Sequence, residues 1–142
     1  MTRILGDSWL LPELDDFNRD WFTRGSVCIQ CCNACSEVQH PPEVVCLACG
    51  SDDFGWRESN GTGRIESFAL VHHPVHPALA EQCPYTVLVV SLDDVPGVHV
   101  IGNLSGDAAT PLEIGQAVRA VFEHVEDPEQ GRLEIPQWEL AS

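Results

Sequence analysis

Cys32-Asn-Ala-Cys35, ten further residues and then Cys46-Leu-Ala-Cys49-Gly50 form the stretch that decides the fold of this chain. Each Cys-x-x-Cys pair can close a tight turn, and two such pairs can place four thiolates around one tetrahedral Zn²⁺. The glycine after Cys49 suits a turn that requires positive φ. The spacing therefore predicts a zinc ribbon. Because protein sulfur would take every coordination position, we expect the metal to be structural rather than catalytic.

The cysteines allow other assignments, because Cys28-Ile-Gln-Cys31 is also a Cys-x-x-Cys motif. That motif could replace the first pair, or six cysteines could build a larger thiolate cluster or a redox centre. His40 could replace one thiolate, although its place beside a proline favours a loop. Disulfides are disfavoured, since seven cysteines are an odd number and residues 1–12 do not resemble a secretory leader. We assign the metal to Cys32, Cys35, Cys46 and Cys49.

The charge of the chain is strongly one-sided, with 22 acidic residues, seven arginines and no lysine in 142 residues. Four thiolates on zinc would add about two negative charges to the formal −15. Because a protein that binds the phosphate backbone needs many basic side chains, this balance argues against nucleic-acid binding. No apolar run is long enough to span a bilayer, so we expect a cytoplasmic protein.

The first 25 residues contain a predicted helix over residues 14–24, with Phe17, Trp21 and Phe22 at helical spacing and Gly25 at its end. Two interpretations remain open. The helix could pack these aromatic side chains against its own domain, or it could dock on a partner protein, because a chain this short has little core to cover them. We divide the chain into this docking region (1–25), a zinc ribbon (26–58) and a barrel domain (59–142).

The barrel domain is predicted from five runs with strand character and turn residues between them. The run from Tyr85 to Leu92 is so rich in β-branched residues that we expect it to be buried on both faces. Five strands without a long helix predict a mainly β chain with a small closed barrel of the OB type. The predicted strands are Arg64–Val71, Tyr85–Leu92, Val98–Leu104, Ala117–Val125 and Arg132–Ile135.

A cluster of histidines follows the first predicted barrel strand in His72-His73-Pro-Val-His76-Pro77. We expect a solvated loop, but these side chains could also contact a ligand or a subunit, hold a second metal ion or act as an acid or base. Arg64, at the start of the first predicted barrel strand, is interpreted as a surface charge, and contact with a phosphate group of a ligand is the alternative. Asp93-Asp94 is interpreted as an ordinary surface turn, and Cys83 as a half-buried thiol without a catalytic role.

Motifs along nearly the whole chain occur in an order that is more specific than any single Cys-x-x-Cys pair. They are the aromatic helix ending in Gly25, Cys32-x-x-Cys35, Pro41-Pro42, Cys46-x-x-Cys49-Gly50-Ser51, Trp56, Gly63-Arg64-Ile65-Glu66-Ser67-Phe68, Val71-His72, Pro84-Tyr85, Gly102-Asn103-Leu104, Ile114-Gly115 and Val118–Phe122. With these motifs, the chain resembles a family of acyl-CoA-associated proteins that join a rubredoxin-like zinc ribbon to an OB fold. The resemblance places the first metal ligand at Cys32 rather than Cys28.

The chain departs from the family pattern at a few positions. Cys28 and Cys31 occupy positions that are usually basic, and Ser36 stands where glycine is usual. The tail from Leu133 to Leu140 is also more acidic than is usual. The resemblance therefore does not imply that basic residues at these positions hold a nucleotide diphosphate in this chain.

The resemblance implies an accessory subunit that binds and completes a thiolase-like partner, with the catalytic nucleophile and base on the partner. It implies C–C bond cleavage in an acyl-CoA thioester by aldolase or thiolase chemistry, for example in the degradation of a steroid side chain or an aromatic acid. The chain is not expected to be catalytic alone. The alternative is a stand-alone OB-fold protein that binds single-stranded nucleic acid, which the net charge opposes.

Overall fold

The computed structural model describes residues 3–141, which form a small three-stranded sheet and a five-stranded barrel. The elements are α1 (Arg19–Thr23), β1 (Cys28–Cys32), β2 (Val38–Gln39), β3 (Phe54–Glu58), β4 (Thr62–Val71), β5 (Tyr85–Leu92), β6 (His99–Asn103), β7 (Ala117–Asp127) and β8 (Gly131–Leu140). The small sheet follows the short helix α1, and its antiparallel strands run in the order β2-β1-β3. The barrel strands run in the order β6-β5-β4-β7-β8. A mainly β fold with a zinc ribbon and an OB barrel is therefore confirmed.

The barrel closes between its two outermost strands. Leu104, directly after β6, forms a parallel bridge with Trp138 of β8, and the N–H of Ser105 donates to the Trp138 carbonyl at 2.7 Å. The Trp138 side chain is fully buried, and its indole lies over Gly102. A Cβ at position 102 would come within 2.9 Å of that indole, so glycine permits the close approach that closure requires. The sequence placed Trp138 beyond the last strand, whereas it is a central core residue of β8.

Strand β5 differs from its prediction in burial but not in extent. Its residues alternate strictly between buried and half-buried side chains, so only one face points into the barrel. Leu88 and Val90 on the inner face are completely buried. The expectation of burial on both faces was wrong, because β-branched residues on the outer face raise strand propensity without requiring cover.

The N-terminal helix is shorter than its aromatic spacing predicts. It begins at Arg19, because Asp15 and Asn18 form a turn of side-chain hydrogen bonds in front of it. Gly25 follows the helix with φ +70°, as expected for a residue that ends a helix. Trp21 is buried in the common core, whereas Phe17 stays half-buried outside it.

Asp94 connects the ribbon to the barrel. Its carboxylate accepts hydrogen bonds from the Ser59 hydroxyl and the Asn60 N–H, both at 2.7 Å, and its carbonyl accepts one from Arg57 at 2.8 Å. Partial burial raises the pKa of Asp94, but the bonds from Ser59 and Asn60 outweigh this effect and hold the pKa below its usual range. The interpretation of Asp93-Asp94 as ordinary surface charge was therefore wrong for Asp94, which fixes the chain between β3 and β4.

No helix among the described residues is both long enough and apolar enough to cross a membrane.

Candidate metal centre

Two turns of the same design carry the four cysteines. In the first turn, the N–H of Ser36 donates to the Cys32 carbonyl at 2.9 Å, and Ser36 has φ +68°. In the second turn, the N–H of Gly50 donates to the Cys46 carbonyl at 2.8 Å, and Gly50 has φ +80°. Each turn thus ends in a left-handed residue directly after its second cysteine. This explains why glycine is favoured at the position that Ser36 occupies.

The four sulfur atoms are arranged as a closed metal site. The Sγ atoms of Cys32, Cys35, Cys46 and Cys49 all lie within 4.8 Å of one another. The Cys32–Cys49 and Cys35–Cys46 pairs are 3.6 Å apart, which is close to the separation of about 3.8 Å expected for sulfurs at about 2.3 Å from a tetrahedral Zn²⁺. Sulfurs at this distance are not disulfide-bonded. The donor set fits one tetrahedral metal ion and leaves no position for a substrate.

Hydrogen bonding favours the thiolate form of Cys46 in the second turn, whereas neighbouring thiols and burial leave the pKa of Cys49 raised. The N–H of Cys49 lowers the pKa of Cys46 to about 7, even though burial opposes this shift. For Cys35, the N–H of Glu37 lowers the pKa, but burial and the neighbouring thiols outweigh it and raise the pKa to about 12. Four thiols this close cannot all ionise without a cation between them. A divalent metal ion would compensate their charge and release their protons.

Two glutamines, one of them buried, tie the second turn to the sheet. Gln30 of β1 is only 1% exposed; its Nε2 donates to the Glu43 carbonyl at 2.8 Å, and its Oε1 accepts from the Glu43 N–H at 2.9 Å. Gln39 of β2 donates to Gln30 and to the Val45 carbonyl, and accepts from the Leu47 N–H. These bonds position the chain on both sides of Cys46. Sequence analysis missed this function, because the only signal was two glutamines outside any motif.

The remaining cysteines of β1 lie outside the group of four. Cys28 is completely buried, its thiol points at the Asp20 carbonyl at 3.6 Å, and burial raises its pKa to about 11. Cys31 is half-buried and its sulfur lies near the Ser36 carbonyl at 3.8 Å. Among residues 3–141, the four assigned cysteines are the only group of three or more potential metal ligands that converge. The geometry therefore does not support a site that uses Cys28 and Cys31.

His40 lies on the side of the ribbon that faces the core and is not part of the metal site. Its ring packs on Trp21 with the centroids 4.3 Å apart. Burial lowers the pKa of His40 to about 4, so the side chain is neutral at physiological pH. Its buried Nδ1 has no hydrogen-bond partner in the described part of the chain.

The histidine cluster and Arg64 are exposed and spread along the barrel. The Nδ1 of His76 accepts the N–H of Ala78 at 3.0 Å at the start of a 3₁₀ helix, Pro77–Gln82, and its ring meets Trp9 edge-on. His72 and His73 point to solvent between β4 and that helix. Arg64 donates to the Gly115 carbonyl at 3.3 Å. The structure does not bring these four side chains together into one site.

Known proteins resemble the chain in both of its parts. Residues 23–55 match the model of the ChsH2 rubredoxin-like zinc ribbon domain, and residues 56–123 match that of the ChsH2 C-terminal OB-fold domain. A solved structure described as the Ltp2-ChsH2(DUF35) aldolase contains a chain that is 36% identical, with a TM-score of 0.76; the match covers 93% of this chain and 100% of that chain.

Two curated relatives are longer proteins. A probable enoyl-CoA hydratase alpha subunit from Thermomonospora curvata is 38% identical over 83% of this chain. The 3-oxo-4,17-pregnadiene-20-carboxyl-CoA hydratase alpha subunit from Mycobacterium tuberculosis is 27% identical over 72% of this chain. The matches span 36% and 29% of those proteins, so the chain corresponds to about a third of their length.

Proposed function

Because the chain belongs to the ChsH2 family, which joins a rubredoxin-like zinc ribbon to an OB fold, we propose that it is an accessory subunit of a complex that processes acyl-CoA thioesters. Its partner is a thiolase-like catalytic subunit, and the reaction is C–C bond cleavage by aldolase or thiolase chemistry. The observation that carries this proposal is the match to the whole length of a chain in the Ltp2-ChsH2(DUF35) aldolase. The steroid-derived acyl-CoA in the name of one relative supports a bulky acyl group, as in steroid side-chain degradation.

The zinc site has a structural function in this proposal. Cys32, Cys35, Cys46 and Cys49 hold one Zn²⁺ and fix the two turns of the ribbon relative to β1. In small ribbons, metal binding supplies on the order of 10 kcal/mol of folding free energy. The ribbon is therefore rigid when it meets the partner. The nucleophile and base are on the partner, since these four thiolates are committed to the metal.

The barrel supplies an open strand edge for the partner. Strand β4 pairs with β7 only through Thr62–Arg64, so one edge of residues 66–71 is unpaired in the described structure. On this segment Phe68 and Leu70 are 40% and 42% exposed. Unpaired strand edges next to exposed apolar side chains are typical of surfaces that pair with another chain.

An acyl-CoA would approach this chain along the exposed length of β4 and the connection that follows it. Arg64 offers its guanidinium to a CoA phosphate, and His72, His73 and His76 line the exposed connection that follows β4. These residues contact the ligand or the partner rather than perform catalysis. The proposed setting is the cytoplasm, where acyl-CoA thioesters and reduced thiols occur together.

Co-expression with the thiolase-like subunit of the same host tests this function. We expect the zinc-loaded chain to co-purify with that subunit in a fixed ratio, measured by size-exclusion chromatography with light scattering. The assembled pair should cleave an acyl-CoA substrate that neither chain cleaves alone. Chelation of zinc should dissociate the complex, whereas the E126Q/E129Q variant, changed at exposed positions outside the proposed contact residues, should assemble normally. Zinc-loaded chain that stays separate from the thiolase-like subunit would contradict the proposal.

A further inference from the structure

A cavity of about 350 Å³ opens between the turn that precedes α1 and the outer side of the zinc ribbon. Three half-buried aromatic side chains, Phe17, Phe54 and Trp56, supply its apolar walls. Three acidic side chains also line it. They are Asp16, Glu43 and Asp52. We call this cavity the ribbon pocket.

The register of the small sheet aims the two ribbon aromatics away from the barrel. Trp56 is directly opposite Gln30 and Phe54 is opposite Cys32, so both aromatic side chains share one face of the sheet. The other face carries Ile29, which is completely buried in the common core. The ribbon pocket therefore lies on the side of the ribbon that the chain's own barrel does not cover.

The carboxylates of the ribbon pocket have no cationic partner. Within residues 3–141, the side chains of Asp16, Glu43 and Asp52 form no salt bridge, although three other acidic side chains do so. No arginine lines the cavity. The Arg24 guanidinium lies 5.8 Å from the centroid of the Trp56 ring, but its ion pair is with Asp20. The cavity thus has aromatic walls, and its three carboxylates form no ion pair.

An exposed apolar side chain lines the cavity. Val44 is 62% exposed there, and Leu47, three residues further along the chain, is 76% exposed. Exposed apolar side chains next to unpaired carboxylates are typical of a surface that binds another protein. The occupant therefore carries both a cation and an apolar surface.

We propose that the ribbon pocket receives an arginine side chain from the partner subunit. This inference rests on the proposed function, because it identifies a contact in that complex. A planar guanidinium stacks on tryptophan and phenylalanine faces while its N–H groups donate to carboxylates. Lysine fits less well, because its ammonium is a compact, strongly hydrated charge that does not stack. The net charge of −15 also favours the approach of a partner subunit with a basic surface.

Peptide binding tests the pocket without the partner. The probe is an acetylated and amidated peptide, Gly-Leu-Arg-Leu-Gly, and its control carries neutral citrulline in place of arginine. In two-dimensional NMR of the zinc-loaded chain, the arginine peptide should shift the Trp56 indole and the Phe54 and Asp52 amides, and the citrulline peptide should not. The D16N/E43Q/D52N variant should bind about tenfold more weakly. The E113Q/E126Q/E129Q variant removes the same charge at exposed positions elsewhere and should bind like the wild type.

Equal shifts from both peptides, shifts spread over the acidic surface, or an unchanged affinity in D16N/E43Q/D52N would overturn the inference. Assembly with the thiolase-like subunit separates it from the proposed function. If the wild type assembles and D16N/E43Q/D52N assembles about tenfold more weakly, the pocket is part of the interface. If both assemble alike, the pocket proposal is wrong and the subunit function stands. If the wild type does not assemble, the subunit function is wrong and the peptide result alone decides whether the pocket binds arginine.

Discussion

At the scale of single residues, the metal site depends on which cysteines converge. Cys31 is next to Cys32 in sequence, but the two side chains leave β1 on opposite faces, so only Cys32 faces the second turn. Cys28 is on the same face as Cys32 but four residues away along the strand, where its thiol meets Asp20. Proximity in sequence therefore does not make these cysteines equivalent.

Replacement of a converging cysteine should abolish metal binding. We expect Cys46→Ser to lose zinc, because three thiolates and a hydroxyl bind it much more weakly, and to lose the ordered ribbon with it. Mass spectrometry under native conditions measures the zinc content. Cys31→Ser is the matched control and should keep one zinc ion per chain. Loss of zinc from Cys31→Ser together with its retention in Cys46→Ser would refute the assignment.

His40 should make the stability of the chain depend on pH. Its pKa is lowered by burial to about 4 in the folded chain, against an ordinary value of 6.5, so the unfolded chain binds the proton more readily. Its contribution is complete above pH 6.5 and is lost as the pH falls toward 4. Between about pH 7.5 and pH 5, the wild type should lose about 2 kcal/mol more than His40→Phe, which keeps the ring on Trp21.

Urea unfolding of zinc-loaded protein at both pH values measures this difference. The zinc site is common to both proteins, so proton competition for the thiolates cancels in the comparison. Identical losses of stability in the wild type and in His40→Phe would show that His40 is not buried as a neutral ring.

At the scale of secondary-structure elements, strand β4 combines two different environments. Its first residues lie between β5 and β7, and its last five residues pair with β5 alone. The register with β5 shifts between Ile65 and Ser67, at an irregularity of the kind that bends and twists a strand. Alternating apolar residues predict such a strand but do not reveal where one of its neighbours ends.

A side chain at Gly63 of β4 would collide with β5. A Cβ there would lie 2.5 Å from both the Ser91 carbonyl oxygen and the Val90 Cγ1. We expect Gly63→Ala to lower the free energy of unfolding by about 1–3 kcal/mol, because the backbone of β5 must move. Gly55→Ala is the control, since its Cβ would meet only the end of the Asn33 side chain at 3.2 Å. Urea unfolding compares the two variants, and equal midpoints for Gly63→Ala and the wild type would contradict this packing.

At the scale of the whole molecule, the charge decides between two functions that the OB fold can serve. OB barrels bind single strands through aromatic stacking in a basic groove. This chain combines an OB barrel with a formal charge of −15 and no lysine. The fold alone therefore does not identify the ligand, and the charge favours a basic protein partner.

The charge predicts that the chain does not bind single-stranded DNA. Fluorescence anisotropy of a labelled oligothymidylate should not change on addition of zinc-loaded protein, even at low salt, because repulsion of the phosphates exceeds stacking on Phe68 and Tyr85. A single-strand-binding OB protein serves as the positive control. Binding that weakens as salt increases would contradict this prediction and favour the alternative function.

Short-range patterns in the sequence were enough to predict the zinc ribbon and the barrel strands, and the order of the motifs was enough to identify the family. Cysteine spacing and turn residues act over a few positions, and Tyr85–Leu92 has the extent that its composition predicts. The functions of Gln30, Asp94 and Trp138 became visible only in the folded structure. Their partners are distant in sequence, so no local pattern records them. The ribbon pocket belongs to this second class, since packing alone brings Asp16 and Phe17 next to Asp52 and Trp56.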